Sequence, residues 1–172
     1  MDTSDTMAPW IGSAISSSNT SSTPSKRILI LGESWYGPPV PLSTYLTGWC
    51  AGSIQDHFFS CIFHAASGSP ASGASPQQRS AFWNNVIFDN FVNFPVGPSI
   101  SHRPTPLQLD AAAHTFPARL AVLLPDSVWV IGVKQQQYSV PVLRTHHYHY
   151  VPSPHPRSGV TIVRLRDDWT KL

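Results

Sequence analysis

The sequence predicts an α/β fold, a three-layer α/β/α sandwich on a four-stranded, mainly parallel sheet, and three observations predict it. Short apolar runs end at glycine, as strands buried on both faces of a parallel sheet do. A long segment between two of them carries helical spacing behind a capping signal, and strand, helix and strand therefore alternate along the chain. The 172 residues are 41% hydrophobic and 11% aromatic, enough for one sizeable core and one ordinary domain. Only 12% are charged, so surface polarity falls to Ser, Thr, Gln, His and Pro, and a net charge of +2 does not by itself announce a nucleic-acid binder. Seventeen prolines against ten glycines cut the chain into short elements. No run approaches the ~20 apolar residues of a membrane-spanning helix.

Residues 1–25 are rich in Ser and Thr and poor in large apolar side chains, so they read as a flexible tail before a domain spanning residues 26–172. Neither a basic start nor a continuous apolar stretch marks an export signal there, so the acceptor-like Asn19-Thr20-Ser21 is read as coincidence. Cys50 and Cys61 suffice for neither a four-thiolate site nor a disulfide framework, and an intracellular location, nuclear or cytoplasmic, is expected. Arg27-Ile28-Leu29-Ile30-Leu31-Gly32 forms the first strand, with a loop after it. Ser67 to Gln78, small residues broken by Gly68, Pro70, Gly73 and Pro76, reads as a surface excursion. A short helix starts at Ser75-Pro76 and closes at Phe82-Trp83, and Val86 to Val92 is the second strand, interrupted by Asp89 and Asn90.

Thr105-Pro106-Leu107-Gln108 has the capping-box form, and Leu109, Ala112, Ala113, Phe116, Leu120, Leu123 and Leu124 continue at helical spacing, with Pro117 expected to kink or divide the helix. Pro125-Asp126 ends it; Ser127 to Gly132 is the third strand and Tyr148 to Pro152 the fourth. Ligands of open α/β sheets bind beyond the carboxyl ends of the strands. Four loops should therefore converge: Gly32 to Gly37, Asn90 to Phe94, Gly132 to Lys134 and Ser153 to Gly159.

Three of these loops carry side chains suited to a planar ligand. Glu33-Ser34-Trp35-Tyr36, between Gly32 and Gly37, joins an acid, a hydroxyl and two aromatics; the same residues also suit a turn covering the core. Asn90 offers donors and an acceptor to a base edge, or else satisfies a loop backbone, while Asp89 on the opposite face is read as structural. His155, fixed between Pro154 and Pro156, is either a rigidly placed donor or part of a solvated turn. His146-His147-Tyr148-His149 looks like a metal cluster, but alternate strand residues face opposite ways and nothing completes it, so no metal or other cofactor is expected.

The order of these segments resembles the uracil-DNA glycosylase superfamily. Ile28 to Gly37 looks like its first motif, Val86 to Val92 with Asn90 like its base-reading strand, and Arg103-Pro104-Thr105-Pro106 like its Pro-Thr-Pro helix start. Ala121 to Gly132 looks like the strand after its Leu-rich helix, and His155-Pro156-Arg157-Ser158-Gly159 resembles its His-Pro-Ser motif. The match runs in order from Lys26 to about Arg164. It implies hydrolysis of the N-glycosidic bond of uracil or another deaminated base flipped out of DNA. On that resemblance Asn90 reads the base, His155 donates to the departing base, and Tyr36 packs beside it together with Trp35 and Gly32. Ser34 stands where the best-known branch has a water-orienting Asp, with Glu33 beside it, and Arg157 stands where Ser is common. Arg157, Ser158 and Lys134 are the DNA-contact candidates, with Arg144, Arg164 and Arg166 also expected near that end. The expected partner is DNA, single-stranded included; the expected state is a monomer without membrane contact.

Two other readings use the same residues. A module of this fold without chemistry would bind a nucleotide or single strand by stacking on Trp35 and Tyr36. Alternatively, Gly32-Glu33-Ser34 resembles the nucleophile block of the SGNH ester hydrolases, with Ser34 attacking and His155 as base; that family places an Asp three residues before the His, where this chain has Pro152.

Overall fold

The first strand is apolar on both sides because both sides are covered. In the computed structural model, which describes residues 7–17, 26–37, 40–99 and 101–172, strand β2 (Ile28–Trp35) sends Leu29 and Leu31 to one face of the sheet and Ile30 to the other. Its neighbours are β3 (Ile87–Pro95), β4 (Ser127–Ile131) and β5 (His149–Ser153), and these four strands are mutually parallel. A two-residue strand, β1 (Trp10–Ile11), joins the outer edge of β3 antiparallel, giving a mixed five-stranded sheet in the order β1-β3-β2-β4-β5. The expectation of four strands is corrected accordingly.

Residues 7–17 also correct the expectation of a tail running to residue 25. Trp10 donates its indole N–H to the Trp83 carbonyl, Met7 N–H bonds to Asn93 O, and helix α1 (Ser13–Ser17) buries Ile15 against the core. One buried isoleucine, one buried methionine and an edge pairing hold a segment whose composition alone reads as disordered. The rest of that tail, with the Asn19 acceptor, lies outside the described residues.

Helices α2 (Leu42–Ala51), α3 (His57–Ser67), α4 (Pro76–Trp83) and α7 (Ile162–Trp169) cover the Ile30 face, where Trp49, Trp83 and Trp129 are fully buried. The Leu29 face is covered by α1, α5 (Pro106–Leu123) and α6 (Val133–Thr145). The expected capping box forms at Thr105 with Gln108, and a second, Ser75 with Gln78, opens α4. Pro117 neither divides nor ends α5; Phe116 and Leu120, buried on either side of it, keep the helix seated on the sheet. Leu124 leaves the predicted helical stripe, closing the helix in the left-handed region at φ 47° with its side chain exposed. The excursion at Ser67 to Gln78 holds a 3-10 turn, Ala71–Gly73, and the fourth strand is shifted one residue onward from its predicted bounds. Among the described residues no helix is long and apolar enough to cross a membrane.

Candidate functional site

From β2 the chain goes to β3 on one side and afterwards to β4 on the other, so a crevice opens beyond the carboxyl ends of the central strands. A cavity of about 430 Å³ lies there. Gly32, Glu33, Ser34, Trp35 and Tyr36 line it from the first strand and its exit, Asn90 from β3, and His155 and Arg157 from the turn after β5. Four segments distant in sequence were expected to converge, and three of them do. The Gly132 segment stays outside the cavity lining: Lys134, in the first turn of α6, is not part of the wall. Ser158 is also outside it and instead bonds through its hydroxyl to the His155 carbonyl at 2.6 Å. Asn90 lies on its predicted strand, whereas Glu33 and Ser34 sit on β2 and not in a loop, because β2 and β3 continue in parallel pairing past their predicted ends.

Asn90 is 4% exposed, yet its carboxamide has no hydrogen-bond partner among the described residues. Its backbone is secured separately: the N–H donates to Asp89 Oδ1, and the carbonyl accepts from Arg119. Across the ladder its register partner is Gly32, and a Cβ there would stand 2.5 Å from Asn90 Oδ1. The glycine thus makes room for the amide, and the amide faces the cavity with its donors and acceptor unspent.

His155 is held from several directions. Its Nδ1 accepts the Arg157 backbone N–H at 3.1 Å, and its ring stacks on Phe58 with centroids 5.4 Å apart and planes 27° from parallel. Burial, then the positive charges of Arg103 and Arg157, push its pKa down to about 4, with Asp56 pulling the other way. The imidazole is therefore neutral at pH 7, and because Nδ1 accepts, the proton sits on Nε2. That leaves one N–H without a partner among the described residues.

Glu33, 8% exposed, accepts at Oε1 from Arg103 Nη1 at 3.2 Å and from the Tyr36 hydroxyl at 3.5 Å. Ser34 Oγ is buried with no partner among the described residues. A hydrolase triad would need His155 to accept the Ser34 proton, but the one acceptor nitrogen of the neutral ring is taken by Arg157 N–H. Asp89 faces the other side of the sheet and pairs with Arg119, which also holds the Asn90 and Phe91 carbonyls.

Sequence reasoning missed the far wall. Tyr45 on α2, and Asp56, Phe58 and Phe59 at the start of α3, close the cavity opposite the strands. Asp56 caps α3, accepting at Oδ1 from Phe58 N–H and Phe59 N–H, while Oδ2 takes the Tyr45 hydroxyl at 2.9 Å. Burial first and Asp56 second hold the Tyr45 phenol well above its ordinary range, so it is a neutral donor. An Asp ahead of an apolar run, after Gly52, is an N-cap signal legible in the sequence. Arg103 reads in the sequence only as part of a helix start, although its guanidinium reaches the site. Arg144, by contrast, lies in the last turn of α6, bonded to Tyr150 Oη, and Arg164 pairs with Asp168, so neither joins the cavity wall. Arg166 bonds to the His64 carbonyl.

Among the described residues no group of three His, Cys, Asp or Glu is placed to hold a metal, and His146, His147 and His149 form none. Neither protein-family models nor curated proteins match the chain.

Proposed function

We propose that this protein is a divergent member of the uracil-DNA glycosylase superfamily, an α/β sandwich that hydrolyses the N-glycosidic bond of uracil or another deaminated base in DNA. One observation carries the reading: a buried carboxamide and a neutral imidazole N–H, both without protein partners among the described residues, line one aromatic-walled cavity at the strand ends. An amide with donor and acceptor side by side complements the O=C–N–H edge of a lactam base. Trp35, Tyr36, Phe58 and Phe88 supply flat apolar walls for its faces.

In the reaction the bond from C1′ to the base nitrogen breaks, and its electron pair leaves on the base. The His155 Nε2–H donates to the oxygen where that charge gathers, and being neutral and fixed it does so without reorganisation. One such donor in a dry site contributes roughly 3 to 4 kcal/mol. Unpairing and unstacking cost least in single strands, which makes single-stranded DNA the first substrate to test.

Purified protein incubated with a single-stranded uracil oligonucleotide should release free uracil, and His155→Ala should lower the rate at least tenfold. Oligonucleotide binding with no release above a buffer control would reassign the chain as a base-binding module, the reading that Ser34 in the acid's place favours. Ester hydrolysis abolished by Ser34→Ala would reassign it as a hydrolase.

A further inference from the structure

Two carboxylates line the cavity, and their surroundings differ. Asp56 is spent: Oδ1 receives two backbone N–H groups at 2.7 and 3.2 Å and Oδ2 receives the Tyr45 hydroxyl. Glu33 is spent at one oxygen only. Oε1 takes Arg103 and Tyr36, whereas Oε2 has no hydrogen-bond partner among the described residues. Gly132, at φ 120°, lies beside it, and even a Cβ there would stand only in ordinary contact, 3.7 Å from Glu33 Oε2. A carboxylate kept from solvent, anchored at one oxygen and open at the other, is arranged to hold a water molecule.

The anchor rests on local structure on both sides. Arg103 leaves the chain just before buried Pro104 and the Thr105–Gln108 capping box of α5, and its Nη1 also donates to the Tyr36 hydroxyl at 3.3 Å, closing a triangle of three side chains. Gly37 N–H to Gly97 O at 2.8 Å ties together the two segments that carry Tyr36 and Arg103.

Resting on the glycosylase reading, we propose that Arg103 is a positioning residue: it holds Glu33 turned so that Oε2 orients the attacking water, the task for which Ser34 has no charge. The water oxygen forms the new bond to C1′ as the base departs with the electron pair of the broken bond. The water's proton passes to the Glu33 carboxylate and from there to solvent. Arg103 touches neither the sugar nor the base.

The test uses the full chain, single-turnover release from a single-stranded uracil oligonucleotide, and equilibrium binding of free uracil as a separate readout. Arg103→Met should lower the single-turnover rate at least tenfold with uracil affinity within twofold, and Arg103→Lys should recover most of the rate. Glu33→Gln should show the same loss, and the Arg103→Met/Glu33→Gln double variant should lose little more than either single variant. An active protein whose Arg103→Met variant matches it, or whose double variant loses the product of the two single effects, overturns the positioning role alone. An unsubstituted protein that binds uracil and releases none overturns the glycosylase reading and this role with it.

Discussion

Asp89 and Asn90 are neighbours on one strand, both nearly inaccessible, and they have opposite relations to the rest of the protein. Asp89 faces α5 and is completed by it: Arg119 pairs with its carboxylate and also gathers the Asn90 and Phe91 carbonyls. Burial pushes the Asp89 carboxyl up to about 6 against the pull of Arg119, which leaves it ionised at neutral pH. Asn90 faces the α3 side and is left incomplete, its amide open to the cavity. A buried polar group that the protein satisfies belongs to the fold; one that it leaves unpaired facing a cavity calls for a partner from outside the chain, which in the proposed reading is the base.

The sharpest way to break this contrast is to remove each side chain in turn. Asp89→Ala strands a largely buried guanidinium, and such losses run to about 3 to 5 kcal/mol. A urea unfolding curve should show a drop of that order. Asn90→Ala removes a group with no partner among the described residues, so the same curve should move by no more than about 1 kcal/mol while uracil affinity falls at least tenfold. Equal destabilisation by both variants would erase the distinction.

A smaller effect comes from His155. In the unfolded chain the imidazole titrates near 6.5, and in the fold near 4, so between those values the unfolded chain takes up the proton more readily. Stability from this group is fully present above pH 6.5 and is lost as pH falls toward 4. His155→Gln should flatten the fall in urea midpoint over that window. An unchanged slope would mean that the ring titrates as a solvated one.

Much of the scaffold was legible in the sequence because its signals are local. Apolar runs ending at Gly32 and Gly132 gave strands, and Thr105 with Gln108 gave the start of α5. Asn90 stood out because a polar residue inside an apolar strand needs a reason. What escaped is set by pairings across long separations. β1 is two residues held against β3 nearly eighty positions later; Arg119 meets Asp89, and Arg103 meets Glu33, across thirty and seventy positions. Helix α6 was hidden by polar Gln135, Gln136 and Gln137 and by Pro141; Gln135 is buried there because its amide donates to the Leu31 and Ile131 carbonyls between separating strands. Such roles exist only once the sheet has assembled.

The most direct test is a titration of isotope-labelled protein with free uracil, following the Asn90 side-chain amide and the His155 ring nitrogens by NMR. Both sets of signals should move along one saturation curve, as a single flat ligand contacting both groups requires. Movement of only one of them, or of neither at concentrations where the oligonucleotide binds, would contradict the claim that these two side chains share a guest.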